Sequence, residues 1–315
     1  MNSKPRSFAA RVIALAVATI FGLGTLVACS SNDPNGTPTG SPNDGDNTKG
    51  TASNPVRIGV VGATEKYWDT LTDELETEGI YVEIVDFAEY PLPNPALTAG
   101  DIDLNQFQHI VYLAAYIANT GNELAPIGST AIYPLMLHSQ RYDSVAEIPA
   151  GAEIAVPNDP SNLSRALLVL QSAGLIKLRD GGSIFSTDLD IIEAESRVRV
   201  RPVAADLLPA TLADLAGAVM NNDWVVKAGM DMNAAIAQDD PNDPAAAAYV
   251  NIWASRTEDA DNALYLRIVA AYQNSTQVIT ELQEVSGGAA VIVKIPQAEL
   301  QTALDKTIAD TKANA

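Results

Sequence analysis

Residues Val156–Leu170 read VPNDPSNLSRALLVL, an apolar strand end that turns through Pro157, Asn158 and Asp159 directly into a helix. Ser161 offers a hydroxyl that can cap free helix N–H groups, and Leu163, Ala166, Leu167 and Leu170 form an apolar face that runs out at Gly174. Arg165 then lies within about one turn of a positive helix end, where the macrodipole disfavours a cation by roughly 0.3–1 kcal/mol. A bound anion reverses that sign. A guanidinium fork beside exposed helix N–H groups is a seat for a carboxylate, because fork and dipole act on the same negative charge. The competing reading is a surface arginine laid over apolar neighbours.

Around this stretch are 315 residues, 47% of them hydrophobic, enough for one large or two medium cores. A net charge of −20 argues against nucleic acid or an anionic membrane surface as the partner, since binding by counterion release needs clustered Lys and Arg. The first 28 residues hold Lys4, Arg6 and Arg11 but no acid, followed by the apolar run VIALAVATIFGLGTLV and then Leu26-Val27-Ala28-Cys29. A basic start, a short apolar stretch and small residues at its end are an export signal, 1–28, rather than a membrane span. Cys29 is the single cysteine, so an internal disulfide and a multi-thiol zinc site are excluded. Residues 30–55 are almost entirely Ser, Asn, Asp, Gly, Thr and Pro, and are expected to form a flexible tether over 29–55.

The folded part opens with a strand over 56–61, a helix capped by Thr64 with Tyr67, Trp68, Leu71 and Leu75 on its apolar face, and a second strand over 81–87. That βαβ order predicts a parallel sheet. Gly59 and Gly62 are read as tight-turn residues, because neither a Gly-Lys-Ser/Thr ending nor a full GxGxxG follows them. A short helix from Asn94 to Gly100 precedes a strand over 101–105 and a helix over 106–119, which places Phe107 and His109 at the carboxyl end of the sheet. For His109 alone, a helix-cap or core role is the alternative. One long strand is expected over 131–139, then strands over 151–156, 197–204, 217–221 and 249–255, and a helical carboxyl-terminal part from 259 to 312. The polar cluster 238–244 reads as an exposed loop.

Two histidines and no free thiol leave little for catalysis, no GxSxG elbow occurs, and Asp101 with Asp103 reads as a solvated strand end rather than an acid/base pair. No cofactor or metal is called for, and the chain is not expected to be an enzyme. The strand ends instead carry Tyr90, Phe107, His109, Arg165, Asn221 and Asn251. That set suits a small zwitterion: Arg165 for a carboxylate, asparagine carbonyls for an ammonium, and aromatics for an apolar side chain.

Leu-x-Ala-Cys at 26–29 resembles the lipobox of bacterial lipoproteins, in which cleavage precedes a cysteine that is lipid-modified. From Val56 to about Lys294 the chain resembles the methionine-binding lipoproteins of ABC importers. The motifs that carry the resemblance are FAEYPLPNPAL (Phe87–Leu97), GDIDLNQFQH (Gly100–His109), AVPNDPSNLSRALLVL (Ala155–Leu170), AGLIKLRDG (Ala173–Gly181) and YVNIWASR (Tyr249–Arg256). The resemblance implies an α/β, two-lobed type II periplasmic-binding-protein fold with a hinge between lobes. Lobe 1 is expected over 56–138 plus 252–315, and lobe 2 over 139–251. It further implies that Tyr90, Phe107 and His109 line a pocket, that Arg165 binds a ligand carboxylate, and that Asn221 and Asn251 hold the amino acid backbone. The implied partners are methionine or a related amino acid, an ABC permease with its ATPase, and the membrane through lipid on Cys29, on the extracytoplasmic face. Receptors for another small amino acid or a short peptide, and a surface lipoprotein acting as an interaction module, are the alternatives. Two departures bear on the ligand: Ser164 stands where the family commonly has Gly before the arginine, and Asn222-Asp223-Trp224 replaces the usual Thr-Thr-Tyr. An inward Asp223 would favour a ligand with more positive charge than methionine; a helix-cap role for it is the preferred reading.

Overall fold

The computed structural model describes residues 48–314. The expected signal 1–28, Cys29 and most of the tether lie outside the described residues. Lys49–Asn54, the end of the expected tether, form a turn instead: Tyr81 N donates to Gly50 O at 2.9 Å, and Lys49 Nζ lies 2.6 Å from Asp103 Oδ2.

Two five-stranded sheets build the molecule. The first contains β1 (Val56–Val60), β2 (Val82–Asp86), β3 (Leu104–His109), β4 (Leu124–Ser129) and β11 (Asn251–Arg256), in the order β2-β1-β3-β11-β4. The second contains β6 (Met136–His138), β7 (Glu153–Pro157), β8 (Arg199–Val203), β9 (Gly217–Met220) and β10 (Ala237–Gln238), in the order β10-β6-β9-β7-β8. Short strands β5 (Ala131–Ile132) and β12 (Val291–Ile292) pair separately. The expected βαβ start is present, with β1 parallel to both β2 and β3, while β11 runs antiparallel between β3 and β4.

Helices cover the sheets. In the first lobe these are α1 (Lys66–Thr77), α2 (Pro93–Ala99), α3 (Ile110–Thr120), α7 (Ala263–Asn274), α8 (Thr276–Val285) and α9 (Gln297–Ala313); in the second they are α4 (Pro160–Ser172), α5 (Leu208–Thr211) and α6 (Asn222–Lys227). On one side of the first sheet Trp68, Trp253 and Tyr272 meet with Leu71, Leu75 and Ile268, and on the other Leu97, Leu113, Ile252, Leu300 and Leu304 close a second core. Leu135, Val156, Leu167 and Leu170 fill the second lobe, so the helical face read from the opening stretch is its core face.

Several local readings change. Strand β3 continues to His109, and the helix expected from 106 begins at Ile110. Polar residues hid that strand, because Asn105, Gln106, Gln108 and His109 are all buried. They are satisfied internally: Asn94 Nδ2 donates to Gln108 Oε1 at 2.7 Å, Asn105 Nδ2 to Asn94 Oδ1 at 2.9 Å, and Gln108 Nε2 to Asn94 Oδ1 at 2.6 Å. Thr64 does not cap α1, whose N-cap is Glu65. The single strand expected over 131–139 breaks at Tyr133-Pro134, and Met136–His138 belongs to the second sheet. Met136–His138, expected in lobe 1, thus join the second sheet, and Asn251, expected in lobe 2, opens a strand of the first sheet opposite His109.

Candidate functional site

The cleft between the lobes holds a pocket lined by Tyr90, Phe107, Gln108, His109, Tyr112, Tyr133, Pro134, Asn162, Arg165, Asn221, Asn222, Asp223 and Asn251. All six residues singled out in the sequence are on that wall.

Their placement follows from local structure. Opposite β3, Ile252 pairs with Gln108 but Trp253 with Gln106, so Phe107 is an extra residue in a bulge. A bulge turns its strand, and here Phe107, Gln108 and His109 all reach the cavity wall despite being consecutive. His109 is the N-cap of α3: its Nδ1 accepts from Tyr112 N at 3.1 Å. Nδ1 is thus unprotonated, and Nε2–H faces Asn162 Oδ1 at 3.3 Å across the cleft. Burial and the nearby Arg165 charge push the imidazole pKa down to about 3, so His109 is neutral. The cap reading and the pocket reading of this residue are both realised, one on each ring nitrogen.

Helix α4 starts one residue earlier than the sequence suggested, at Pro160, and its cap is Asp159 rather than Ser161, with Asp159 Oδ1 accepting from Asn162 N at 2.9 Å. Asn162, which sequence reasoning passed over, ties the two lobes. Its Nδ2 donates to both Asp159 oxygens at 3.1 Å, leaving Oδ1 to receive His109 Nε2 and, at 3.0 Å, Asn221 Nδ2. Asn221 Oδ1 is buried and has no partner.

Arg165 is buried in the second turn of α4, not exposed at its first. Its Nε lies 2.6 Å from Asp239 Oδ2, its Nη2 donates to Tyr133 O at 2.7 Å, and its guanidinium carbon sits 4.3 Å from the Tyr249 ring centre. Asp239 Oδ1 in turn accepts from Leu135 N at 2.8 Å, so the guanidinium and its carboxylate grip the irregular segment 133–135 between β5 and β6.

An aromatic wall faces the arginine side: Tyr90 to Phe107 is 6.1 Å between ring centres, Phe107 to Tyr112 is 5.7 Å, and Tyr90 to Trp224 is 5.1 Å across the cleft. Asp223 is not the cap of α6, which is Asn221. It faces the cavity, with Oδ2 accepting from Tyr90 OH at 2.7 Å and Oδ1 from Asn222 Nδ2 at 2.8 Å. Burial raises its pKa from 3.8 to about 6, against the lowering influence of Tyr90, Lys227 and Asn222. The folded chain therefore holds a proton there that the unfolded chain has released between about pH 4 and 6, and the stability linked to it is lost as pH rises through that window. Thermal melts of the ligand-free chain should show the wild type losing stability relative to Asp223→Asn between about pH 4 and 7; a difference independent of pH would contradict this placement of the carboxylate.

Among the described residues, no group of three or more His, Cys, Asp or Glu side chains is arranged to hold a metal ion, and no helix is long and apolar enough to cross a membrane.

The sequence profile of the NlpA lipoproteins matches residues 56–293, three quarters of the chain. The chain belongs to the NlpA lipoprotein family. Among curated NlpA-type relatives, the probable D-methionine-binding lipoprotein MetQ of Pasteurella multocida is 34% identical over 278 residues, covering 85% of this chain and 96% of the relative. Among solved structures, protein PG110 from Staphylococcus aureus is 34% identical with a TM-score of 0.76, covering 80% of this chain and 99% of that one. A nutrient-binding protein from Burkholderia cenocepacia bound to methionine is 34% identical with a TM-score of 0.69, covering 75% and 99%. A periplasmic substrate-binding protein of an ABC transporter from Coxiella burnetii, 32% identical with a TM-score of 0.69, covers 76% and 100%. The two-lobed periplasmic-binding-protein fold expected from the resemblance is thus the fold of this NlpA lipoprotein.

Proposed function

We propose that this NlpA lipoprotein is the substrate-binding component of an ABC importer, which captures methionine or a related amino acid between its lobes and delivers it to the permease and its ATPase. On this reading lipid on Cys29 holds it at the extracytoplasmic face of the membrane, and it binds its ligand without transforming it. The observation that carries the reading is the convergence of Arg165, Asn221, Asn251 and the Tyr90–Phe107–Tyr112 wall on one cleft cavity.

The ligand carboxylate takes the N–H groups of the Arg165 fork that Asp239 and Tyr133 leave over, and its ammonium supplies the donor that buried Asn221 Oδ1 lacks. Asn251 flanks the ligand backbone, and the side chain lies among the aromatics, where a thioether contact contributes about 0.3–1.5 kcal/mol. His109, held neutral, offers a fixed tautomer rather than a competing cation. Because Arg165 and Asp239 grip the segment at Tyr133 and Leu135, carboxylate binding is coupled to the strands that set the angle between lobes.

Calorimetric titration of the ligand-free full chain with L- and D-methionine tests this. Saturable one-to-one binding, with a melting temperature that rises with ligand concentration, is expected. Stoichiometric binding of neither enantiomer, nor of any other free amino acid, would overturn the reading.

A further inference from the structure

The amino acid cavity does not end at Asp223. A second, smaller pocket shares Tyr133, Asn222 and Asp223 with the first and is otherwise lined by Glu65, Tyr67, Val226, Leu282, Val285 and Ser286. The shared residues make it a continuation of the ligand pocket along the cleft, away from Arg165. Its charged lining is of one sign. Asp223 comes from the second lobe and Glu65 from the turn between β1 and α1 in the first, and both are acceptors.

Neither carboxylate has an ion-pair partner among the described residues. Glu65 Oε2 is buried with no hydrogen-bond partner at all. Among the described residues, the cation that influences both is Lys227, which is engaged elsewhere: its Nζ lies 3.7 Å from Asp86 Oδ1 and 3.5 Å from Phe87 O, and 5.3 Å from the Trp224 ring centre. At the other end of the pocket Arg165 is already neutralised by Asp239. A zwitterion such as methionine adds no net charge and no side-chain donor, so it leaves both acids without an ion-pair partner. Enclosed carboxylates are disfavoured unless paired or hydrogen-bonded.

We propose that Asp223, with Glu65 behind it, is a specificity-determining end of the pocket that seats a cationic side-chain group, so that basic α-amino acids are ligands of this protein. The proposal rests on the amino acid reading of the cavity: Arg165 takes the carboxylate, Asn221 the α-ammonium, and the side-chain amine or guanidinium lies across Asp223 toward Glu65. Two lone-pair positions of Asp223 are used by Tyr90 OH and Asn222 Nδ2, and a carboxylate offers about four. Burial raises Glu65 to about 7 and Asp223 to about 6, a state that an incoming cation reverses, so binding of a basic ligand near pH 6.5 releases protons.

The test titrates the full chain, freed of co-purified ligand, with L-lysine, L-ornithine, L-arginine and L- and D-methionine in buffers of different ionisation enthalpy. At least one basic amino acid is expected to bind one-to-one with proton release, and Asp223→Asn to lower the ratio of its association constant to that of methionine at least about tenfold. Glu65→Gln should lower the same ratio less, and either variant alone suffices should the other lose its folded circular-dichroism spectrum. Methionine binding with no uptake of any of the three basic amino acids would overturn the inference while leaving the amino acid reading intact. A ratio unchanged in both variants would overturn it equally. Failure of all five compounds to bind would overturn the inference, and failure of every other free amino acid as well would remove both.

Discussion

Arg165→Ala is expected to abolish most ligand binding and to destabilise the second lobe at the same time. The charge-assisted bond between guanidinium and ligand carboxylate contributes roughly 1.5–3 kcal/mol, which corresponds to about ten- to hundredfold in affinity. The same truncation leaves Asp239 without its cation and Tyr133 O without its donor. Breaking a fully buried pair costs about 3–5 kcal/mol, but the Asp239 side chain is 25% exposed and water recovers part of that, so a loss nearer 1–3 kcal/mol is expected. Arg165→Lys separates the two effects. It keeps the charge against Asp239 but lacks the planar fork, so it should restore most of the melting temperature and only part of the affinity. Calorimetry and thermal melts on the three proteins check both; an Arg165→Ala protein that binds with unchanged affinity would reject the carboxylate assignment.

Trp253→Ala is expected to destabilise the first lobe by about 3–5 kcal/mol, as large-to-small changes in a packed aromatic core do. Trp253 is fully buried in β11, 5.9 Å from the Trp68 ring centre and 5.4 Å from that of Tyr272, both near perpendicular. Since β11 also carries Asn251 to the cavity, loss of this anchor loosens one wall of the site. Trp253→Phe should cost much less: it preserves the edge contacts and deletes an indole N–H that is buried without a partner. Urea or thermal unfolding of the two variants would decide. Equal losses from both would mean that the edge-to-face aromatic contacts contribute little.

Periodicity made the frame of the fold readable. The strand of Val56–Val60, the Trp68–Leu71–Leu75 face of α1 and the Leu163–Leu170 face of α4 follow the helical and strand periods directly and pack as those periods require. Reading failed where polar residues are buried by pairing with distant ones. Gln106, Gln108 and His109 look like a solvated helix start, yet they are buried strand core, with Gln108 bonded to Asn94, Gln106 to Thr130 and His109 to Asn162. A break at Pro134 was hidden inside an apolar run that otherwise reads as one strand. In the site, the motifs singled out Tyr90, Phe107, His109, Arg165, Asn221 and Asn251, whereas Asn162 and Asp239 left no local signal. Asp239 meets Arg165 across 74 positions of sequence, and Asn162 acts through a contact between lobes. Asp223 sits where a capping residue would, and its pocket role depends on Tyr90 from the opposite lobe.

Arg165 is proposed as the carboxylate seat of the cleft. A crystal structure of the full chain with its bound amino acid tests that most directly. The ligand carboxylate is predicted within about 3 Å of the Arg165 guanidinium nitrogens, with the ligand ammonium at Asn221 Oδ1. A ligand seated outside this cleft, or one whose carboxylate lies away from a guanidinium still engaged only by Asp239 and Tyr133, would contradict it.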